Sequence, residues 1–276
     1  MNHRTLLILA ALLLPSIPVT AQQAQRGGGP PPTAKSIAPI DLTGYWTAVI
    51  SEDWHTRMLT AVKSDMGSGT FPVQFGGRGV GQSNIPWNNE GRRVVAAWDP
   101  ARDEAEGNQC KAYGAAGIMR EPTRLHITWQ DDNTLNIESD YGTQTRLFRI
   151  RVPQAGGQAA ARPAAAPAGE PTWQGNSVGE WTILGGRGNW PKGGNLKVVT
   201  TNMKAGYYWK NGMPYSANAV MTERFRVYKE IDNSEWIVFS QEVNDPTYLN
   251  QPYIVTYHFK KLPNGNDWSP TPCTVK

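Results

Sequence analysis

Histidine and cysteine are scarce in this 276-residue sequence, which contains four histidines and two cysteines. His55, His126 and His258 lie too far apart for a local metal-binding motif, and a site assembled from distant strands remains the alternative. The glycine-rich stretch at 76–81 lacks the flanking strand and helix of a nucleotide-binding fold. We therefore predict that the protein has no metal site and uses no cofactor.

Apart from its first residues, the sequence also lacks a long apolar run. Residues 1–21 have a basic start, an apolar stretch from Leu6 to Leu14 and small residues before Gln22, which together predict a secretory signal peptide. No later segment approaches the roughly 20 apolar residues of a membrane-spanning helix. We expect a periplasmic or secreted protein with no membrane span after cleavage. Its net charge of +4 is ordinary and indicates no nucleic-acid partner.

The two cysteines, Cys110 and Cys273, favour a disulfide, because an exported protein folds in an oxidising compartment. In the chain-entropy model, closing so long a loop stabilises the folded state by roughly 2–5 kcal/mol. A reactive thiol at Cys110 is the alternative, although no nucleophile motif surrounds that residue.

Two segments have a composition that cannot build a core. Residues 22–38 are rich in Gly, Pro and Gln and are predicted to form a disordered leader. Residues 153–171 are rich in Ala, Pro and Gly, with a strand pattern on each side. This flanking favours a long exposed hairpin insertion within a single domain at 39–276, rather than a linker between two small domains.

Most of the remaining sequence alternates apolar and polar residues with period two and is rich in aromatic and β-branched residues, which predicts an all-β protein. Short turn-forming groups separate the candidate strands, so we expect an antiparallel meander of about nine strands that closes into a barrel or folds into two packed sheets. One short helix is predicted within 86–107, with Asn88 or Asn89 as its N-cap. The candidate strands are TGYWTAVI, TRLHITWQ, TLNIESD, TQTRLFRIRV, SVGEWTILG, NLKVVTTNM, AVMTERFRVYKE, SEWIVFSQEV and YIVTYHFKKL.

The first candidate strand, DLTGYWTAVI, contains Gly44-Tyr45-Trp46, which resembles the Gly-X-Trp signature of lipocalins and related small-ligand barrels. This resemblance implies a lipocalin-like barrel in which Trp46 plugs the closed end. The segments TERFRVY and DPTYLNQPYIVTYHFKK are also similar to those of a group of secreted bacterial β-rich proteins with no established activity. That second resemblance implies fold and secretion but no reaction.

Polar residues on neighbouring candidate strands form a possible site. His126, Glu138 and Arg146 fall on strands that we expect to be adjacent, where cross-strand side chains stand about 5 Å apart. If they face solvent, they carry no functional information. If they line a barrel cavity, His126 and Glu138 are candidates for proton transfer and Arg146 for stabilising negative charge.

Aromatic and charged residues in loops and strands supply candidate ligand contacts at the mouth of the barrel. The same residues also fit simple packing at the domain edge, and their aromatic density leaves a sugar ligand open. Besides Trp46, the candidates are Trp54, His55, Arg57, Tyr208, Trp209, Glu223, Tyr248, Tyr253 and His258.

These patterns favour a secreted protein that binds a small, mainly apolar or aromatic molecule. The alternative is a cofactor-free lyase or isomerase that works by proton transfer at His126, Glu138 and Arg146 in the barrel cavity. A third possibility is an envelope interaction protein without a pocket.

Overall fold

The computed structural model describes residues 31–53, 85–152, 169–185 and 193–275, and the described residues from Pro32 onwards belong to one compact unit. The predicted signal peptide and most of the predicted leader lie outside these ranges, as do residues 153–168 of the predicted insertion. The strands in chain order are β1 (Gly44–Ala48), β2 (Arg124–Asp131), β3 (Thr134–Ser139), β4 (Gln144–Arg151), β5 (Asn176–Leu184), β6 (Gly193–Thr201), β7 (Gly206–Trp209), β8 (Met213–Tyr215), β9 (Val220–Lys229), β10 (Glu235–Asn244) and β11 (Tyr253–Leu262).

Nine of these strands close into a barrel in the order β1-β11-β10-β9-β6-β5-β4-β3-β2, while β7 and β8 form a separate hairpin. The predicted all-β barrel of about nine strands is confirmed. Its strands form because period-two alternation gives each one an apolar inner face, as in β3, where Leu135 and Ile137 are buried and Asn136 and Glu138 are not. Tight reversals use positive φ at Gly142 (77°) and Asn233 (66°).

One pair of neighbouring strands departs from the expected antiparallel meander. β4 and β5 are parallel, with Phe148 opposite Ser177 and Arg151 opposite Glu180. Parallel neighbours require a crossover connection of about a dozen residues or more, because the chain must return to the end where it started. β4 and β5 are therefore not the antiparallel pair that the predicted hairpin would join, and residues 153–168 of the predicted insertion lie outside the described residues.

Several short helices pack against the two ends of the barrel. α1 (Ala34–Ile37) lies within the segment whose composition predicted a disordered leader, and α2 (Asn89–Ala96), α3 (Pro100–Ala105) and α4 (Ala115–Ile118) follow β1 in the chain. Asn88 is the N-cap of α2, since its side-chain oxygen accepts from the backbone N–H of Gly91 at 2.9 Å. Where one helix was expected, Pro100 begins a second one. None of the described helices is long and apolar enough to span a membrane.

The predicted disulfide between Cys110 and Cys273 is confirmed. It joins the 3₁₀ helix Gln109–Tyr113 to the C-terminal segment, residues 263–275. That segment also bonds to the turn between β3 and β4, where the N–H of Thr271 donates to the carbonyl of Asp140 at 2.9 Å. The C-terminal segment is therefore held against the barrel at two places.

Buried side chains form two apolar clusters. The larger fills the barrel. The smaller includes Met221, Val243 and Tyr253, the inward residues at one end of β9, β10 and β11, together with the β7–β8 hairpin. Along β9 the buried residues run Met221, Glu223, Phe225, so a layer of polar side chains separates the two clusters. We call this the polar layer; it consists of Arg146, Ser177, Thr200, Glu223 and Gln241.

Candidate functional site

His126 and Glu138 are cross-strand partners, as the alternation of β2 and β3 predicts. Nδ1 of His126 lies 3.0 Å from Oε2 of Glu138, and their side chains are 28% and 40% exposed. Their neighbours on the same strands, Leu125 and Ile137, are buried inside the barrel. The pair therefore lies on the outer face, so of the two alternatives the solvent-facing one holds for His126 and Glu138, because the apolar face of these strands supplies the core.

Arg146 lies on the opposite face of the sheet from this pair. On β4 it shares the inner face with Phe148, while Thr145 pairs with Glu138 in the register of β3 and β4. The three residues predicted to form one catalytic group are therefore divided between the two sides of the barrel wall. Apart from Glu138, the side chains that pack on His126 are aromatic.

The ring of Tyr45 stacks on His126 with centroids 4.2 Å apart and planes inclined by 6°, and Trp268 packs edge-on against both rings. Trp268 belongs to the C-terminal segment, which crosses the outside of β1 and β2 on its way to the disulfide. This cluster accounts for the partial burial of His126 through packing. The arrangement docks the C-terminal segment and forms no enclosed site around the imidazole.

Inside the barrel, Arg146 pairs with Glu223, a residue predicted to contact ligand. Nη1 and Nη2 of Arg146 donate to the two carboxylate oxygens of Glu223 at 2.8 and 2.7 Å, and the two side chains are 3% and 0% exposed. Ser177 and Thr200 belong to the same polar layer, with their hydroxyl oxygens 2.8 Å apart. A bidentate pair compensates charges that would otherwise be costly to bury.

Residues Gly175–Gly179 match the Gly-x-Ser-x-Gly pattern of hydrolase nucleophile elbows. In the structure Ser177 lies within β5, is 2% exposed and bonds to Thr200. An elbow requires a sharp turn between a strand and a helix that exposes the serine. The pattern therefore marks a buried member of the polar layer.

The middle of the barrel is filled by large side chains. Trp46 is fully buried, and its indole N–H donates to the carbonyl of Leu42 at 2.9 Å. Phe225 and Phe239 pack against each other with centroids 5.0 Å apart. Trp46 is thus surrounded by protein side chains. The space for a ligand is therefore at the ends of the barrel.

At the end covered by the β7–β8 hairpin, four aromatic residues form what we call the aromatic cap: Trp87, Tyr208, Tyr215 and Tyr253. The ring of Tyr208 lies 5.5 Å from that of Tyr215, 5.3 Å from that of Tyr253 and 6.3 Å from that of Trp87. Two predicted ligand contacts, Tyr208 and Tyr253, are therefore brought together. Trp87 was missed, because it lies in a short segment without a regular alternation.

Several polar atoms of the aromatic cap are buried without a partner in the described part of the chain. They are the hydroxyls of Tyr208 and Tyr215 and the indole N–H of Trp87. Burial raises the pKa of the Tyr208 hydroxyl far above its usual range, and the pKa of Tyr215 rises for the same reason. Both hydroxyls therefore remain protonated and able to donate at neutral pH.

The remaining predicted ligand contacts are dispersed. Trp209 is buried beneath the guanidinium of Arg120, which lies 4.8 Å from its ring centre. Tyr248 is partly buried against the smaller apolar cluster, and burial raises the pKa of its hydroxyl. His258 alternates with buried Tyr257 and Phe259 and so belongs to the outer face of β11. Trp54, His55 and Arg57 lie outside the described residues.

Two concave sites lie elsewhere on the molecule. An open groove of about 670 Å³ runs beside α3 and the disulfide, and a pocket of about 410 Å³ lies beside Trp129. Within the described ranges, no group of three or more His, Cys, Asp or Glu residues is placed to hold a metal ion.

No family model, no curated protein and no solved structure matches this chain.

Proposed function

We propose that this protein binds a small, mainly apolar or aromatic molecule that carries a hydrogen-bond acceptor, with the aromatic cap as the binding site. The observation that carries the proposal is the set of buried donors without partners on Trp87, Tyr208 and Tyr215. Leaving a buried polar group unpaired costs roughly 1–3 kcal/mol, and an acceptor on a ligand recovers that free energy on binding.

The chemistry of the donors restricts the ligand. An indole N–H only donates, and a phenol with a raised pKa stays protonated, so the groups of the cap favour a carbonyl, ether or carboxylate oxygen. The surrounding rings of Tyr208 and Tyr253 offer an apolar wall for the rest of the molecule.

As part of the same proposal, we regard the chain as a lipocalin-like binding protein that acts outside the cytoplasm. The closed barrel and the Cys110–Cys273 disulfide support this view. The binding site differs from a central lipocalin cavity, because large side chains fill the middle of this barrel. The alternative of proton transfer is not carried forward, since His126 and Arg146 lie on opposite faces of the wall.

A ligand screen tests the proposal. Matched pairs of compounds, each a hydrocarbon and its ketone or carboxylic acid, are titrated against the full chain while intrinsic Trp fluorescence is recorded. We expect saturable changes with the oxygen-bearing member of some pairs and weaker changes with the hydrocarbon. Tyr208→Phe should weaken that binding about tenfold, and Tyr45→Phe, which removes the same atom on the outer face, should leave it unchanged. The absence of saturable binding across the screen would contradict the proposal.

A further inference from the structure

A pocket of about 410 Å³ lies at the end of the barrel opposite the aromatic cap. Trp129, near the end of β2, forms one side, and the segment that leads into β1 forms the other. Its charged members are Lys35 and Asp41, and the rest of the lining consists of Ala38, Pro39, Ile40 and Thr43. The volume falls within the range of pockets that take small molecules.

The wall of the pocket is held in place before any ligand arrives. The indole N–H of Trp181 donates to the carbonyl of Ala34, and that of Trp46 donates to the carbonyl of Leu42, both at 2.9 Å. Between them, the backbone N–H of Lys35 donates to the carbonyl of Asp132 at 3.0 Å. A pocket that is already formed binds without the entropic cost of ordering its wall.

Trp129 occupies an irregular position in its strand. The register of β2 against β3 shifts between Trp129 and Asp131. Such bulges are frequent at the rims of barrels, where they redirect a side chain from the regular alternation. Trp129 is only partly buried, so part of the indole is available to a ligand at this rim.

The polar groups of the pocket offer both donors and acceptors. Oδ1 of Asp41 accepts from the N–H and the hydroxyl of Thr43 at 2.9 and 2.7 Å, and Oδ2 has no hydrogen-bond partner among the residues that the structure describes. The ammonium of Lys35 makes no ion pair within the same ranges. Because the two charges are opposite, they favour a ligand without net charge.

We propose that this pocket binds a neutral pyranose sugar. An apolar C–H face of the ring would pack on the indole of Trp129, and hydroxyl groups, which both donate and accept, would bond to Asp41 and Lys35. This site is independent of the aromatic cap, since no residue belongs to both. The two proposals therefore stand or fall separately.

The test uses the full chain with glucose, galactose and N-acetylglucosamine at millimolar concentrations and ligand-observed saturation-transfer NMR. We expect transfer to the ring protons of at least one sugar. Trp129→Ala and Asp41→Asn should each weaken its binding about tenfold or more. The control Trp236→Ala, which removes a tryptophan from β10 where it stacks on Tyr228, should leave the transfer unchanged.

Asp41→Asn changes an exposed side chain, so it decides the question if Trp129→Ala fails to fold. No transfer to any of the three sugars would overturn the proposal, and so would equal transfer in wild type and Asp41→Asn. Loss of sugar binding in these variants, with binding at the aromatic cap intact, would support it.

Discussion

Arg146 and Glu223 face each other across the inside of the barrel and are joined by two hydrogen bonds of 2.8 and 2.7 Å. Removing one partner leaves the other charge buried and unpaired, so Arg146→Met and Glu223→Met should each lower the free energy of unfolding by roughly 3–5 kcal/mol. The double variant should recover most of that loss, because it leaves no charge in the layer. Urea unfolding of the four proteins measures the coupling.

The exposed pair Lys197 and Glu180 is the control for that cycle, with side chains 37% and 54% exposed. Breaking it with Lys197→Met should change the free energy of unfolding by no more than about 1 kcal/mol. A similarly small loss for Arg146→Met would contradict the view that the interior pair is an essential part of the fold.

Two glycines with the same backbone conformation should respond differently to alanine. Gly142 and Gly107 have φ of 77° and 72°. A Cβ on Gly142 would lie 2.1 Å from the ring of Tyr113, whereas a Cβ on Gly107 would have nothing within 4 Å. Gly107→Ala should cost about 1 kcal/mol from backbone strain alone, and Gly142→Ala roughly 1–3 kcal/mol more. Thermal unfolding of both variants checks this difference, and equal costs would contradict the packing at Tyr113.

The disulfide is expected to hold the C-terminal segment on the barrel. Replacing both Cys110 and Cys273 with Ser should lower the free energy of unfolding by roughly 2–5 kcal/mol, because a loop spanning 163 residues is no longer closed in the unfolded chain. Comparison of oxidised and reduced wild type with the double variant gives the measurement. If reduction left the stability of wild type unchanged, the disulfide would have no such role.

His126 is expected to serve packing. His126→Ala removes its stack with Tyr45 and should cost about 0.5–1.5 kcal/mol of stability while leaving ligand affinity at the aromatic cap unchanged. Thr256→Ala, an exposed outer-face change on β11, is the control for stability. A large loss of ligand binding in His126→Ala with the fold intact would reopen a functional role for the imidazole.

The nine barrel strands were predictable because their alternation is a local property, and all nine candidate segments form barrel strands. The inward direction of Arg146 was also readable, since on its strand the arginine alternates in phase with Phe148 and Ile150. That phase places Arg146 on the face of the sheet opposite His126. The apolar partners on a strand indicate which face is inside more reliably than the chemistry of the polar ones.

Other features could not be read from local pattern. Period-two alternation is identical for parallel and antiparallel pairing, so it does not indicate the direction of β5 against β4. The β7–β8 hairpin has the sequence GYYW before its turn, in which three successive large aromatic residues hide the alternation. The aromatic cap combines such segments from distant parts of the chain, and for this reason Trp87 was not foreseen.

The central claim is that the buried hydroxyl of Tyr208 is kept for a ligand, and Tyr208→Phe tests it most directly. The unfolding free energy of the free protein and the affinity for the best ligand of the screen are measured for this variant and for Tyr45→Phe. We predict that Tyr208→Phe leaves the free protein as stable as wild type or roughly 1 kcal/mol more stable, since an unpaired buried group is removed, and weakens binding about tenfold. A destabilised free protein with unchanged affinity would contradict the claim.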